Sequence, residues 1–374
     1  MKKLRLICVQ VMFVLLLCIP VTVAFSTALS VKSTPATSSA INGPSSLALD
    51  KDRYLFVVEE EVDRVRRIDL RAHTIITVAG NGKDCCYKEG TLATQVGFRY
   101  ISSIAMDLHG NLLIGDGEQV RRVEARSGLI FTVAGNGRAG DTTEGSSALS
   151  ASFRSIEGLA VDRDGNLFIS DGSQGKVFRI DSAIGTVSRV AGNGKAGFSG
   201  DGGPAVNASF LGSRSISLDS TGNIFVADVE NCRIRRIDHS TGLIETIAKT
   251  GGFEQNCPPR PGVIPWQPSP EDPAVDTRGN VYFVQPSVDL VARAGSTVDA
   301  QVVVAGTGRR GFSGDGGPAT SAELANPSGL TVDSEGTLFI SEFVNNRIRR
   351  VDAKTKLITT VAGNGLPHRI DPEM

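Results

Sequence analysis

Between Gly311 and Gly365, apolar positions gather in four short runs, each stopped by residues suited to turns. The runs, at 329–332, 338–341, 347–351 and 357–362, are rich in Val, Ile, Leu and Thr, the composition of half-buried strands. Between them stand Asp333-Ser334-Glu335-Gly336, Val344-Asn345-Asn346 and Asp352-Ala353-Lys354-Thr355. Gly tolerates turn geometry because it lacks Cβ, and Asp or Asn because it bonds its own backbone. One such four-stranded meander cannot bury both of its faces alone.

The pattern repeats. The Asp closing the first run recurs at Asp50, Asp107, Asp162, Asp219, Asp276 and Asp333, in steps of 57, 55, 57, 57 and 57 residues. The Ala ending the last run recurs at Ala79, Ala134, Ala191, Ala248, Ala305 and Ala362, in steps of 55, 57, 57, 57 and 57 residues. Six such units predict an all-β chain folded as a six-bladed β-propeller, with four antiparallel strands per blade. Radial sheets then cover one another's faces and leave only short edges. An open solenoid has shorter coils and needs dedicated caps.

The first residues fall outside this pattern. Lys2, Lys3 and Arg5 precede an apolar stretch at 6–25, and Thr22-Val23-Ala24 and Ser26-Thr27-Ala28 offer small-x-small cleavage sites. That order predicts a signal peptide over 1–28, and Gln10 and Pro20 argue against a retained anchor. Residues 29–43, rich in Ser, Thr and Ala, read as a flexible leader, 44–365 as the propeller and 366–374 as a tail. The blades are expected at about 44–82, 101–137, 156–194, 213–252, 270–308 and 327–365, joined by connectors.

Charge narrows the partners. Lys and Arg number 39 against 40 Asp and Glu, and removing Lys2, Lys3 and Arg5 with the signal takes the chain from −1 to −4. A mildly acidic, secreted or envelope protein lacks the basic field that nucleic acid requires. No stable membrane anchor is expected after cleavage. Cys85, Cys86, Cys232 and Cys257 remain, without CxxC spacing or clustered His, which points away from zinc. Export favours disulfides. Cys232 and Cys257 lie in connections on one face of one blade, so a Cys232–Cys257 bridge is expected. Cys85 and Cys86 read either as a vicinal pair or as reduced thiols.

Asn223-Ile-Phe-Val-Ala-Asp228, then Asn231 and Arg233-Ile-Arg-Arg-Ile-Asp238, resembles the NHL repeat. The Val-Ala-Gly-Asn-Gly ending and the Gly-Phe-Ser-Gly-Asp-Gly-Gly-Pro-Ala insert, at 197–205 and 311–319, are similar to the longer variant of exported bacterial NHL proteins and teneurins. The resemblance runs from Pro44 to Gly365. It implies a six-bladed propeller and little about activity, because NHL propellers mostly serve as binding platforms and fold alone does not fix function.

Several repeated positions have structural readings. Arg67, Arg122, Arg179, Arg236, Arg293 and Arg350 occupy one third-strand position and read as pairs between blades. The insert lacks the GK[ST] of a phosphate loop and the alternating carboxylates of a calcium loop. It reads as a connector with Phe198 or Phe312 tucked against a blade. Glu59, Asp116, Asp171, Asp228 and Glu342 end the second strands on one face, where they either cap their own turns or offer carboxylates to a cation or basic partner.

A site is expected where the repeats stop being equivalent. At the start of the innermost strands Ser45, Ser102 and Ser328 give way to Glu157, Arg214, and Glu271 with Asp272. The connector before blade five carries Trp266, the only Trp. These residues form the candidate binding site at the channel mouth, with Arg214 at its centre. The resulting reading is a non-catalytic platform for a protein or glycan, with no cofactor or metal. The alternative resembles gluconolactonase-type propeller hydrolases or lyases, which hold a metal in the channel through Glu, Asn and Asp. Here the channel strands carry neither Asn nor His.

Overall fold

The computed structural model describes residues 33–83, 88–250 and 270–366. Six antiparallel sheets follow one another along the chain, and in each the four blade strands pair in sequence order. The last sheet comprises Pro327–Val332, Leu338–Glu342, Arg347–Val351 and Ile358–Ala362, within two residues of the runs read from the sequence. The six innermost strands line one central cavity of ≈ 260 Å³. Second strands such as Leu112–Asp116 and Ile224–Asp228 are buried throughout, which is why they read as continuous apolar runs.

The core lies between blades. Phe56 and Val58 of blade one pack with Ile101 and Ile114 of blade two, and a connector residue, Phe98, fills the wedge. Phe153, Phe210 and Leu324 do the same at later steps. Between blades six and one that place belongs to Ile41, packed with Leu55, Phe339 and Ile348. Residues 33–43 are therefore the first connector, not the flexible leader their composition suggests. Thr34–Pro35 pairs antiparallel with the outer strand Thr74–Ala79. Ala36 and Ser39 accept the amides of Gly363 and Asn364 at 3.0 and 3.1 Å, as Ala93 and Val96 accept those of Gly80 and Asn81. The ring closes on the hydrogen bonds that join its other blades.

These bonds explain the Val-Ala-Gly ending. Gly363 has φ +88°, and a Cβ there would lie 2.2 Å from the carbonyl oxygen of Asn346. Only glycine admits that approach. Blade four departs, with Lys249 after Ala248, and leads into residues outside those described.

The third-strand arginines differ from expectation. Arg179, Arg236 and Arg350 pair with Asp181, Asp238 and Asp352 two residues along the same strand, so they do not bridge blades. Arg293 donates to Asn280 within its blade, and Arg67 lies over the Tyr54 ring. The buried arginines sit one residue earlier. Arg235 and Arg349 are wholly enclosed and hold the glycine-rich inserts. Arg235 donates to the carbonyl oxygens of Ser199 and Ser209 and to Asp201, and Thr246 also donates to Asp201. Phe198 stacks under Arg233 and Arg235, and Phe312 under Arg347 and Arg349. The insert's carboxylate is thus committed to clamping a connector onto its blade.

Candidate functional site

The mouth is built from two consecutive positions on each innermost strand. The outer position reads Ser45, Ser102, Glu157, Arg214, Glu271 and Ser328 around the ring, so one half is serine and the other charged. The next position carries a ladder from blade to blade. Ser46 Oγ accepts the Ile104 amide at 3.2 Å, and Ser103 Oγ the Leu159 amide at 3.1 Å. At Gly329 the backbones approach too closely for any side chain, since a Cβ would meet the Ser45 carbonyl oxygen at 2.0 Å.

Asp272 belongs to this ladder. Pro273 has no amide proton, so Ser215 Oγ accepts the Asp272 amide instead, at 2.9 Å. Asp272 Oδ2 in turn accepts the Leu330 amide at 2.6 Å. Burial pushes its carboxyl up to about 7, against the pull of the Leu330 amide, and the charge of Glu271 adds to the rise. It is a joint between blades before it is a ligand-facing group.

A cavity of ≈ 140 Å³ at the mouth gathers Ser45, Glu60, Tyr100, Glu157, Arg214 and Glu271. Arg214 Nη1 lies 3.4 Å from Glu271 Oε2, and the arginine side chain is 58 % exposed. Glu157 instead accepts the Ser155 hydroxyl at 2.5 Å and makes no ion pair with Arg214. The expected clamp of two carboxylates on Arg214 is therefore a single pair. Tyr100 donates to Glu60 at 3.4 Å. Burial raises the Glu60 carboxyl and pushes the Tyr100 hydroxyl up to about 12. Tyr100, Glu157 and Arg214 also wall a groove of ≈ 530 Å³ that continues past Gln174, Ser213 and Glu230.

Tyr100 and Glu60 escape a reading by repeat position. Tyr100 lies seven residues before Asp107, where other blades have Gly43, Ser155, Gly212 or Asn326. Glu60 follows Glu59 where the other blades have an uncharged residue. A register comparison extended by two positions would find both. Trp266 lies outside the described residues. Cys232 is disulfide-bonded, and Cys257, the partner expected for it, also lies outside them, as do Cys85 and Cys86.

The second-strand carboxylates are not surface ligands. Glu59, Asp171, Asp228 and Glu342 are wholly buried and Asp116 nearly so. Each accepts a connector amide: Asn42 onto Glu59, Arg99 onto Asp116, Arg154 onto Asp171, Leu211 onto Asp228 and Ala325 onto Glu342. Arg64 and Arg66 pair with Glu59, and Arg349 with Glu342. Burial pushes Asp228 up to about 6 and raises Asp116, Asp171 and Glu342. Their sequence position is right for a top face, but they are buried and each holds a connector amide. Among the described residues no three His, Cys, Asp or Glu side chains gather in a metal-holding group.

No family model matches the sequence. Mouse Teneurin-1 is 26 % identical over 229 residues, which is 54 % of this chain and 8 % of that protein. Human NHL repeat-containing protein 2 is 26 % identical over 243 residues, 57 % of this chain and 33 % of that protein. The chain thus spans a third or less of these relatives. The chain is an NHL-repeat β-propeller. Among solved structures, an auxiliary nutrient binding protein from Bacteroides thetaiotaomicron superposes with a TM-score of 0.58, covering 86 % of this chain and 70 % of that one. At 16 % identity that likeness concerns the fold. Within this NHL propeller the repeat positions are consumed by packing, and the mouth is where the blades differ.

Proposed function

We propose that this NHL propeller is a non-catalytic binding platform whose contact face is the channel mouth. The observation that carries the reading is the broken equivalence there: three serines face Glu157, Arg214 and Glu271 across one ring. The second-strand carboxylates of the repeat each accept a connector amide inside the blades. By contrast Tyr100 and Arg214 stay open to solvent beside a cavity and a groove. The repeat similarity to Teneurin-1 and NHL repeat-containing protein 2 is compatible with this reading but does not itself fix a role. A protein or glycan partner outside the cytoplasm fits the signal peptide expected from the sequence over 1–28.

The test is retention of partners from arrays of extracellular proteins and glycans by the mature chain. A mouth variant carrying Tyr100→Ala and Glu157→Ala is expected to lose about tenfold or more in retention, the scale of one or two hot-spot contacts. Its melting temperature should stay unchanged, because both residues are partly exposed. A variant of the opposite face, Thr221→Ala, is expected to bind normally. Loss in that variant alone, or turnover of a captured molecule, would contradict the platform.

A further inference from the structure

The contacts that bind other connectors to their blades cannot form in blade five. In blades two, four and six a connector carboxylate, Glu89, Asp201 or Asp315, accepts the hydroxyl of Thr132, Thr246 or Thr360 on the outermost strand. The same carboxylate pairs with a buried third-strand arginine, Arg121, Arg235 or Arg349. The next residue, Gly90, Gly202 or Gly316, has φ between +73° and +82°. It donates its amide to the carbonyl of Ile130, Ile244 or Ile358 at 2.7–2.9 Å. These carboxylates and glycines stand 18 and 17 residues before Asp107, Asp219 and Asp333. Before Asp276 the same two places hold Pro258 and Pro259, with no carboxylate and no amide proton. Blade five has changed to match. Ala292 stands for the arginine, Val303 for the threonine, and an exposed Gln301 for an isoleucine that is buried in all three.

The outermost strand Gln301–Ala305 is thereby left as an edge. Among the described residues its sheet ends there, with no further strand or bridge. Val302 and Val303 are 45 % and 40 % exposed, within a run of three valines. Lys or Pro commonly guards an edge of such residues against pairing, and this strand has neither.

The charge beside the edge is unmatched as well. Glu124, Asp181, Asp238 and Asp352 each pair, at 2.7–3.7 Å, with the arginine two residues before them. After Arg293 that place belongs to Gly295, whose amide bonds the Ala300 oxygen at 2.9 Å. A Cβ there would lie 2.7 Å from that oxygen, so the turn admits no side chain. Arg293, opposite Val302 in the sheet, donates to Asn280 and takes part in no ion pair among the described residues. Arg293 and Val302 both line a groove of ≈ 700 Å³ between blades four and five.

We propose that Gln301–Ala305 is a docking edge, taken by an extended segment of a partner protein that bears an acidic side chain. The partner's main chain makes the bonds that a connector glycine makes elsewhere, and its carboxylate gives Arg293 the partner that Gly295 withholds. A second copy pairing edge to edge would bring no carboxylate, since 301–305 reads Gln-Val-Val-Val-Ala. This surface is the outer edge of a blade, apart from the innermost strands of the channel mouth, and it stands whether or not the mouth binds.

Two measurements test it. In the unliganded chain the Gln301 and Val303 amides should exchange with deuterium about tenfold or more faster than the matching Ile244, Thr246 and Ile358 amides. Equally slow exchange would mean that the blade's own connector covers the edge, and would overturn the proposal. The second is a ligand-observed NMR titration with acetylated, amidated Val-Glu-Val-Glu-Val, compared with its Val-Gln-Val-Gln-Val counterpart. The acidic peptide is expected to bind about tenfold tighter, the worth of one charge-assisted bond. Val303→Pro removes an outward amide at an edge that tolerates proline, and should weaken both peptides. Val302→Glu offers Arg293 the cross-strand pair that Glu245 gives Arg236, and should erase the preference for the acidic peptide with the fold kept. Glu157→Ala, at the mouth, should bind both peptides normally. Equal binding of the two peptides, or a preference unchanged in Val302→Glu, would overturn the proposal. So would a dimer of the chain that Val303→Pro dissolves, since it would give the edge to a second copy.

Discussion

A chain made to begin at residue 44 instead of 29 is expected to lose cooperative folding. The segment removed holds Ala36 and Ile41, both with no exposure, and Ile41 fills the wedge between blades six and one. Burying an isoleucine contributes about 1.5–3 kcal/mol. The amides of Gly363 and Asn364, and Asn42 on Glu59, add hydrogen bonds at about 1 kcal/mol each. Glu59 would also keep its burial while losing an amide partner. The sum approaches the 5–15 kcal/mol that holds a typical domain together. The chain from residue 44 should therefore melt broadly and expose apolar surface, followed by calorimetry and dye binding. Ile41→Ala in the longer chain should still melt sharply, destabilised by about 2–5 kcal/mol. An unchanged, sharp transition in the shortened chain would mean that the ring closes without its first connector.

The second large effect concerns pH. Asp272 has its carboxyl raised to about 7 from 3.8 by burial at the joint between blades five and six. A carboxyl raised by folding binds its proton more tightly in the native state. Its stabilisation is present below the unfolded value and is lost as pH rises from about 4 through 7. Asp228, raised to about 6, and Glu342, Asp116 and Asp171, raised as well, tilt stability in the same direction. Asp272→Asn keeps an oxygen for the Leu330 amide and tolerates φ +44°, since Asn readily adopts the left-handed region. This variant should flatten the decline between pH 4 and 7 and be the more stable protein at pH 8. The gain is on the order of 2–4 kcal/mol. Denaturant midpoints across pH 4 to 8 measure it. Equal slopes for the two proteins would show that Asp272 stays ionised in the joint.

Why the fold was readable from residues is plain in blade six. Its strands alternate, its turns carry Asp, Asn and Gly, and the spacing of Asp333 and Ala362 repeats around the ring. Residues 34–42 were harder to place, because Ala36 and Ile41 mean something only beside Ala93 and Phe98 of the next connector. At the mouth, the serine and charged halves followed from register alone. What register does not reveal is what each oxygen touches. Asp228 and Asp272 both look like surface carboxylates in sequence, yet one holds a connector and the other a neighbouring blade. Tyr100 and Glu60 reach the cavity from positions outside the repeat's regular pattern.

Hydrogen–deuterium exchange, with and without a captured partner, tests the platform most directly. The mouth lies at the amino ends of the innermost strands, and the first hairpins, such as 107–111, 162–166 and 219–223, lie at the opposite end. Protection on binding is expected at 98–103, 155–158 and 212–215, with those hairpins unchanged. Protection of the hairpins instead, with the mouth exchanging as freely as before, would contradict a binding face at the channel mouth.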